Sequence, residues 1–120
     1  MAKARNTPVD DHLPLKPLVF EVLLALADGE RHDWSLVRDV QQRGGFGRIM
    51  PGNFYRTLRG MLGEQLIEES PDRPTADDDD ERRRYFRLTE LGGKVAVAEA
   101  RRLEASVLAA RAKKLLTRRG

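Results

Sequence analysis

Pro51-Gly52-Asn53-Phe54-Tyr55-Arg56-Thr57-Leu58-Arg59-Gly60-Met61-Leu62-Gly63 carries its apolar residues at helical spacing. Phe54, Tyr55, Leu58, Met61 and Leu62 fall on one side, and proline suits a first helical turn. Gly52, Gly60 and Gly63 weaken the helix by propensity, so packing must hold it. At about 100° per residue, Asn53, Arg56 and Gly60 lie opposite the Phe54–Leu58 face, with Gly52, Thr57 and Arg59 on the flanks. Arginine pairs bidentately with guanine, asparagine with adenine, and threonine bonds a base edge or a phosphate. The same residues also describe the wet side of any amphipathic helix, so their meaning depends on the neighbouring elements.

Upstream, Gly44-Gly45-Phe46-Gly47 interrupts a preceding helical pattern. That pattern runs from Asp33, an expected N-cap, to about Gln42, with Trp34, Leu36, Val37 and Val40 apolar. Before it, Leu15, Leu18, Val19, Val22, Leu23 and Leu26 make one face of a helix expected near Pro14 to Ala27. Pro14 and Pro17 are tolerable only near its first turn, and Gly29 is a natural stop. Downstream, Leu66–Glu69 and Arg84–Leu88 read as two strands, the second with Phe86 and Leu88 on one face and Tyr85 and Arg87 on the other. Ser70–Arg83 is a polar loop between them, and Thr89 caps a last helix running to about Thr117. The expected fold is mainly α with a small β-hairpin: a winged helix-turn-helix followed by one long helix. The divisions expected are a flexible basic arm over residues 1–12, a winged helix-turn-helix over 13–89 and a C-terminal dimerisation helix over 90–120.

The 120-residue chain has a formal net charge of +3, but its charges are segregated. Arg43, Arg48, Arg56 and Arg59 occur in a stretch without an acid, and Arg111, Lys113, Lys114, Arg118 and Arg119 make the end basic. Acids concentrate at Asp77–Glu81. Basic blocks of this kind suit a polyanion, double-stranded DNA above all; a solvated charged surface is the plain alternative. Cysteine is absent, which removes disulfides, thiolate metal sites and cysteine nucleophiles. His12 and His32 lack metal-ligand spacing, and the Asp77–Asp80 run lacks the alternation and glycine of a calcium loop. No phosphate-cradling or nucleophile motif is present. We therefore expect no enzyme, metal or cofactor. No apolar run reaches the ~20 residues of a membrane span and the start lacks a signal-peptide core, so the expected location is cytoplasmic.

The candidate DNA-binding residues are Gly52, Asn53, Tyr55, Arg56, Thr57 and Arg59, with Arg43 and Arg48 placed to neutralise phosphates. Two readings stand for Tyr55: a ring in the core with its hydroxyl on a phosphate, or core packing alone. Trp34 reads as a core or dimer contact, with stacking on a small aromatic effector as the functional alternative. In the wing, Arg82, Arg83 and Arg84 could follow a DNA backbone, although the neighbouring acids oppose it; Arg83 and Arg84 are retained as candidates. The last helix has two apolar stripes, one through Leu91, Val95, Ala98, Ala105, Ala109, Ala112 and Leu116, the other through Ala96, Ala100, Leu103, Val107 and Ala110. A helix apolar on two sides usually has two neighbours; here these would be its own domain and a second subunit, making a homodimer. A monomer with a solvated alanine-rich helix is the alternative.

Five segments, in order, resemble the PadR family of transcriptional regulators: Leu18–Leu26, His32-Asp33-Trp34-Ser35-Leu36, Pro51–Leu58, Leu66-Ile67-Glu68 and Arg84–Gly92. The resemblance covers about Leu15 to Gly93. It implies a dimeric repressor on a palindromic operator, of the small subgroup with a single C-terminal dimerisation helix. Some members release DNA when a phenolic or drug-like molecule binds. Asp33 departs from the usual glycine, Gln65 stands where glycine is common, and the acidic wing tip is unusual. A winged-helix protein-interaction module without site-specific DNA binding is the alternative function.

Overall fold

The computed structural model describes residues 8–70 and 84–116. The elements are α1 (Pro8–Asp11), α2 (Pro17–Leu26), β1 (Arg31–His32), α3 (Asp33–Arg43), α4 (Pro51–Gly63), β2 (Ile67–Glu69), β3 (Tyr85–Leu88) and α5 (Glu90–Ala112). Mainly helical, with a small antiparallel sheet, this is the winged-helix order expected. Among the described residues no helix is long and apolar enough to cross a membrane.

One core joins these elements. Val22, Leu23 and Leu26 of α2, Leu36 and Val40 of α3, and Phe54, Leu58 and Met61 of α4 are buried together with Leu66, Ile67, Phe86 and Val95. The apolar periods of the three helices thus converge, as the burial of their stripes requires. The first long helix begins at Pro17 rather than near Pro14, because Lys16 is extended at the N-cap position. The segment before it, expected as part of an arm, is helical at Pro8–Asp11 and packs on α5.

The sheet has three strands, in the order β1-β3-β2. Arg31 pairs with Phe86 and His32 with Tyr85, while Ile67 pairs with Leu88 and Glu69 with Phe86. The hairpin expected from the sequence is therefore β2–β3, and β1 adds to its other edge. Phe86 is buried from the middle strand.

Two turns fix the joint between α4, the hairpin and α5. At the end of α4, the Gln65 N–H donates to the Leu62 carbonyl and the Leu66 N–H to the Met61 carbonyl. This paired closure puts one residue in the left-handed region, and Gln65 has φ +62°. At the start of α5, Thr89 Oγ1 accepts from the Gly92 N–H at 2.9 Å and donates to the Gln65 carbonyl at 2.7 Å. The expected cap at Thr89 is present, and it also ties α5 to the α4 turn.

The N-terminal half of α5 buries Gly92, Val95 and Glu99. Val95 belongs to the first expected stripe, while Gly92 and Glu99 lie between the two. From Ala100 to Leu116 all residues are exposed except the half-buried Ala110. The helix ends at Ala112, short of Thr117, because Lys114 takes φ +64° and Leu115 N–H donates to the Ala110 carbonyl.

Candidate nucleic-acid interface

α3 and α4 form a helix-turn-helix whose connection is clamped by one side chain. Gln41 donates to the Gly47 carbonyl and accepts from the Ile49 N–H through the same amide. Gly44, Gly45 and Gly47 have positive φ, a backbone that other residues adopt only with strain. The start of α3 is capped by His32 rather than Asp33: His32 Nδ1 accepts from the Ser35 N–H at 3.2 Å. Asp33 is the first helical residue, and its backbone N–H donates to the Arg84 carbonyl at 3.0 Å.

On α4, Phe54, Leu58 and Met61 face inward, while Gly52, Asn53, Arg56, Arg59 and Gly60 are exposed. The polar ridge expected from the sequence is thus at the surface. Arg56 Nη1 donates to Asn53 Oδ1 at 3.4 Å. The Thr57 hydroxyl donates to the Asn53 carbonyl at 2.9 Å, leaving its lone pairs, not its proton, for an outside partner. Asn53, Arg56, Thr57 and Gly60 also form one wall of a cleft of about 560 Å³, with Leu15, Lys16 and Val19 on the opposite wall. Lys16 therefore adds a cation to this face that sequence reasoning did not single out.

Tyr55 lies on the other flank of α4, 36% exposed. Its ring meets Phe54 edge-on at 6.0 Å, so the ring packs at the core margin. Its hydroxyl donates to Asp33 Oδ2 at 3.5 Å. Partial burial, and then the Asp33 carboxylate, push the phenol pKa above its ordinary value, so the proton stays on the hydroxyl. Arg84 adjoins this pair. Its Nε donates to Glu69 Oε2 at 2.9 Å and its Nη2 to Glu69 Oε1 at 3.4 Å, and its guanidinium lies over Phe86 at 5.4 Å. Bonding to Glu69 raises the Arg84 pKa, with Asp33 adding to the effect.

The remaining candidates divide. Arg48, just before α4, and Arg59, on it, are exposed. Arg43 is tied to Glu21 of α2 by a 2.6 Å ion pair, which spends its charge on a carboxylate. Arg83, with Arg82 and the acidic run, lies outside the described residues. Trp34 is not a core residue: it is 57% exposed, with Arg38 stacked at 5.4 Å from the ring centroid. Sequence reasoning also missed Asp33, Glu69, Arg84 and Tyr55 as one cluster. Only the β2–β3 register brings Glu69 beside Arg84.

The profile of the transcriptional regulator PadR-like family matches residues 22–98. No curated protein matches the chain. Among solved structures, RosR of H. salinarum is similar at 19% identity and a TM-score of 0.61, over 88% of this chain and all of that one. The adhesin competence repressor AdcR of Streptococcus pyogenes is similar at 15% identity and a TM-score of 0.59, covering 92% of this chain and 74% of that one. ZitR of Lactococcus lactis, a zinc-responsive MarR family member, is similar at 20% identity and a TM-score of 0.63, covering 96% and 72%. At these identities the likeness is one of fold.

Proposed function

This chain belongs to the PadR-like family of transcriptional regulators, and on that premise we propose that it is a repressor acting as a homodimer on a palindromic operator. That it is a DNA-binding regulator follows from its family. The observation that carries the finer reading is the exposed ridge of α4: Gly52, Asn53, Arg56 and Arg59 stand outward on a helix whose other face is locked in the core. A rigid helix with arginine and asparagine outward is what base-edge reading in the major groove requires. The unburied C-terminal half of α5, with Leu103, Val107 and Leu108 exposed, supports pairing with a second copy. Two copies of α4 then enter successive major grooves, with half-sites about 34 Å apart or a multiple of that. Repression is by obstruction of the polymerase, and the protein works in the cytoplasm. Trp34, exposed and already stacked on a cation, is the residue we assign to a small aromatic effector.

The test is selection of bound sequences from a random duplex library with the full chain, followed by titration of the selected duplex at two salt concentrations. A palindromic winner preferred over random DNA by ~10³ or more supports the reading. Binding without preference, lost steeply with salt, rejects the operator and leaves only a basic surface. No binding at all rejects the DNA reading in favour of a protein-interaction module.

A further inference from the structure

The cluster at the wing base holds two donors suited to DNA phosphates, the Tyr55 hydroxyl and the Arg84 guanidinium. Both are engaged by carboxylates of the chain itself. Tyr55 donates to Asp33, Arg84 donates through two nitrogens to Glu69, and the backbone bond from Asp33 N–H to the Arg84 carbonyl holds the two pairs side by side. A carboxylate and a phosphate present the same anionic oxygens to such donors. We propose that Asp33 and Glu69 are internal competitors for the phosphate contacts of Tyr55 and Arg84, and so set the affinity of this chain for DNA. This rests on the DNA-binding reading of α4 above.

The chemistry runs as an exchange. For a phosphate to take the Tyr55 proton, the hydroxyl must leave Asp33, and that carboxylate then faces the phosphate with its own charge. For a phosphate to take Arg84, the bond to Glu69 must open. Both sides of the Arg84–Glu69 pair are about half exposed, and exposed pairs of this kind are weak, so DNA can displace it. Without exchange, Arg84 releases no DNA counterion, because its charge is already neutralised. Arg87 and Glu68 form a comparable exposed pair on the same two strands at 2.8 Å, but Tyr55 and Asp33 are bonded to neither. That pair is the internal control.

The experiment measures binding of the full chain to the selected duplex over a salt series, for wild type, Glu69→Gln, Asp33→Ala, Asp33→Ala with Tyr55→Phe, and Glu68→Gln. Glu69→Gln is expected to tighten binding by about three- to tenfold at low salt, because no internal bond must open before Arg84 meets the phosphate. Asp33→Ala is expected to tighten binding as well, and adding Tyr55→Phe to remove part of that gain. Glu68→Gln should change affinity by less than about twofold. Equal tightening by Glu68→Gln and Glu69→Gln would make the effect one of net charge and overturn the proposal. Weaker or unchanged binding in Glu69→Gln, with wild type still selective, overturns it while leaving the operator reading intact. A wild-type chain that selects no sequence overturns both. Glu69→Gln is conservative and exposed, so it decides the matter even if Asp33→Ala folds poorly.

Discussion

A β-carbon added to Gly92 would stand 1.9 Å from the carbonyl oxygen of Leu66. That contact belongs to the joint at which α5 leaves the hairpin: Thr89 reaches the Gln65 and Leu66 carbonyls, and Gly92 lies directly over the same turn. Backbone rather than a flexible side chain is in the way, so the joint cannot yield locally. Gly92→Ala should destabilise the fold by about 2–3 kcal/mol, in the range of overpacked interiors, although alanine is the better helix former. Urea unfolding checks this. A stabilised variant would show that α5 can shift away from the hairpin.

Gln65 shows the opposite case. It holds the left-handed position of the α4 closure at φ +62°, where an L side chain is disfavoured by roughly 1–2 kcal/mol. Glycine avoids that clash but loses more backbone freedom on folding. Gln65→Gly should therefore stabilise by about 0.5–1 kcal/mol, seen as a raised denaturation midpoint at unchanged slope. A loss of stability would mean that the Gln65 side chain contributes more than its backbone costs.

These two turns show what the sequence could and could not convey. The apolar periods of α2, α3 and α4 are long enough to be read directly, and so is the Thr89 cap. β1 is not legible, because a two-residue strand has no period and exists only through pairing with β3. His32 takes the cap position because the strand leads straight into the helix, placing Nδ1 over the Ser35 N–H. The end of α5 escapes reading because Lys114, not glycine, takes the left-handed turn. In the candidate site, the outward ridge of α4 follows from 100° geometry. The Asp33–Tyr55 and Arg84–Glu69 pairs do not, because they depend on register and on the meeting of separate elements.

Glu99 is a charged residue on the core face of α5, 2% exposed. Arg102 Nε and Nη2 donate to its two oxygens at 2.8 and 2.9 Å. That guanidinium, with help from the Leu15 backbone and against the cost of burial, holds the carboxyl below the usual carboxylate range. A carboxyl whose folded pKa is depressed contributes stability above its unfolded value, near 4.3, and loses it as pH falls through the folded value. Glu99→Gln should cost about 1–2 kcal/mol at neutral pH, and the gap from wild type should shrink below about pH 4.3. A gap independent of pH from 7 to 3 would show that the ionised form of Glu99 is not what stabilises its bonds to Arg102 and the Leu15 backbone.

Arg56 is the ridge residue best suited to a base edge. It is exposed, and among the described residues its one side-chain bond is a long one to Asn53 on its own helix, so little must be broken for it to reach out. Arg56→Ala should weaken binding to the selected duplex by about 1–3 kcal/mol and relax preference at one position of each half-site. Titration against single-base variants of that duplex checks both effects. Unchanged operator affinity would remove Arg56 from the contact set, and a uniform loss on all sequences would make it a phosphate contact.

Val107 bears on assembly. It is 41% exposed, and Leu103 lies one turn before it on the same stripe, beyond the last residue that the domain buries. Neither belongs to the apolar core of the single chain, so charge placed there should disturb stability little while opposing close approach of a second helix. Val107→Glu should therefore sediment as a monomer, and the wild type is expected to sediment as a dimer. On a palindromic duplex it should lose at least about tenfold in affinity, because the second half-site is no longer held at high effective concentration. Affinity for an isolated half-site should be unchanged. A Val107→Glu chain that still sediments as a dimer would move the interface off this stripe, and a wild type that is monomeric at all concentrations would remove α5 as a dimerisation helix.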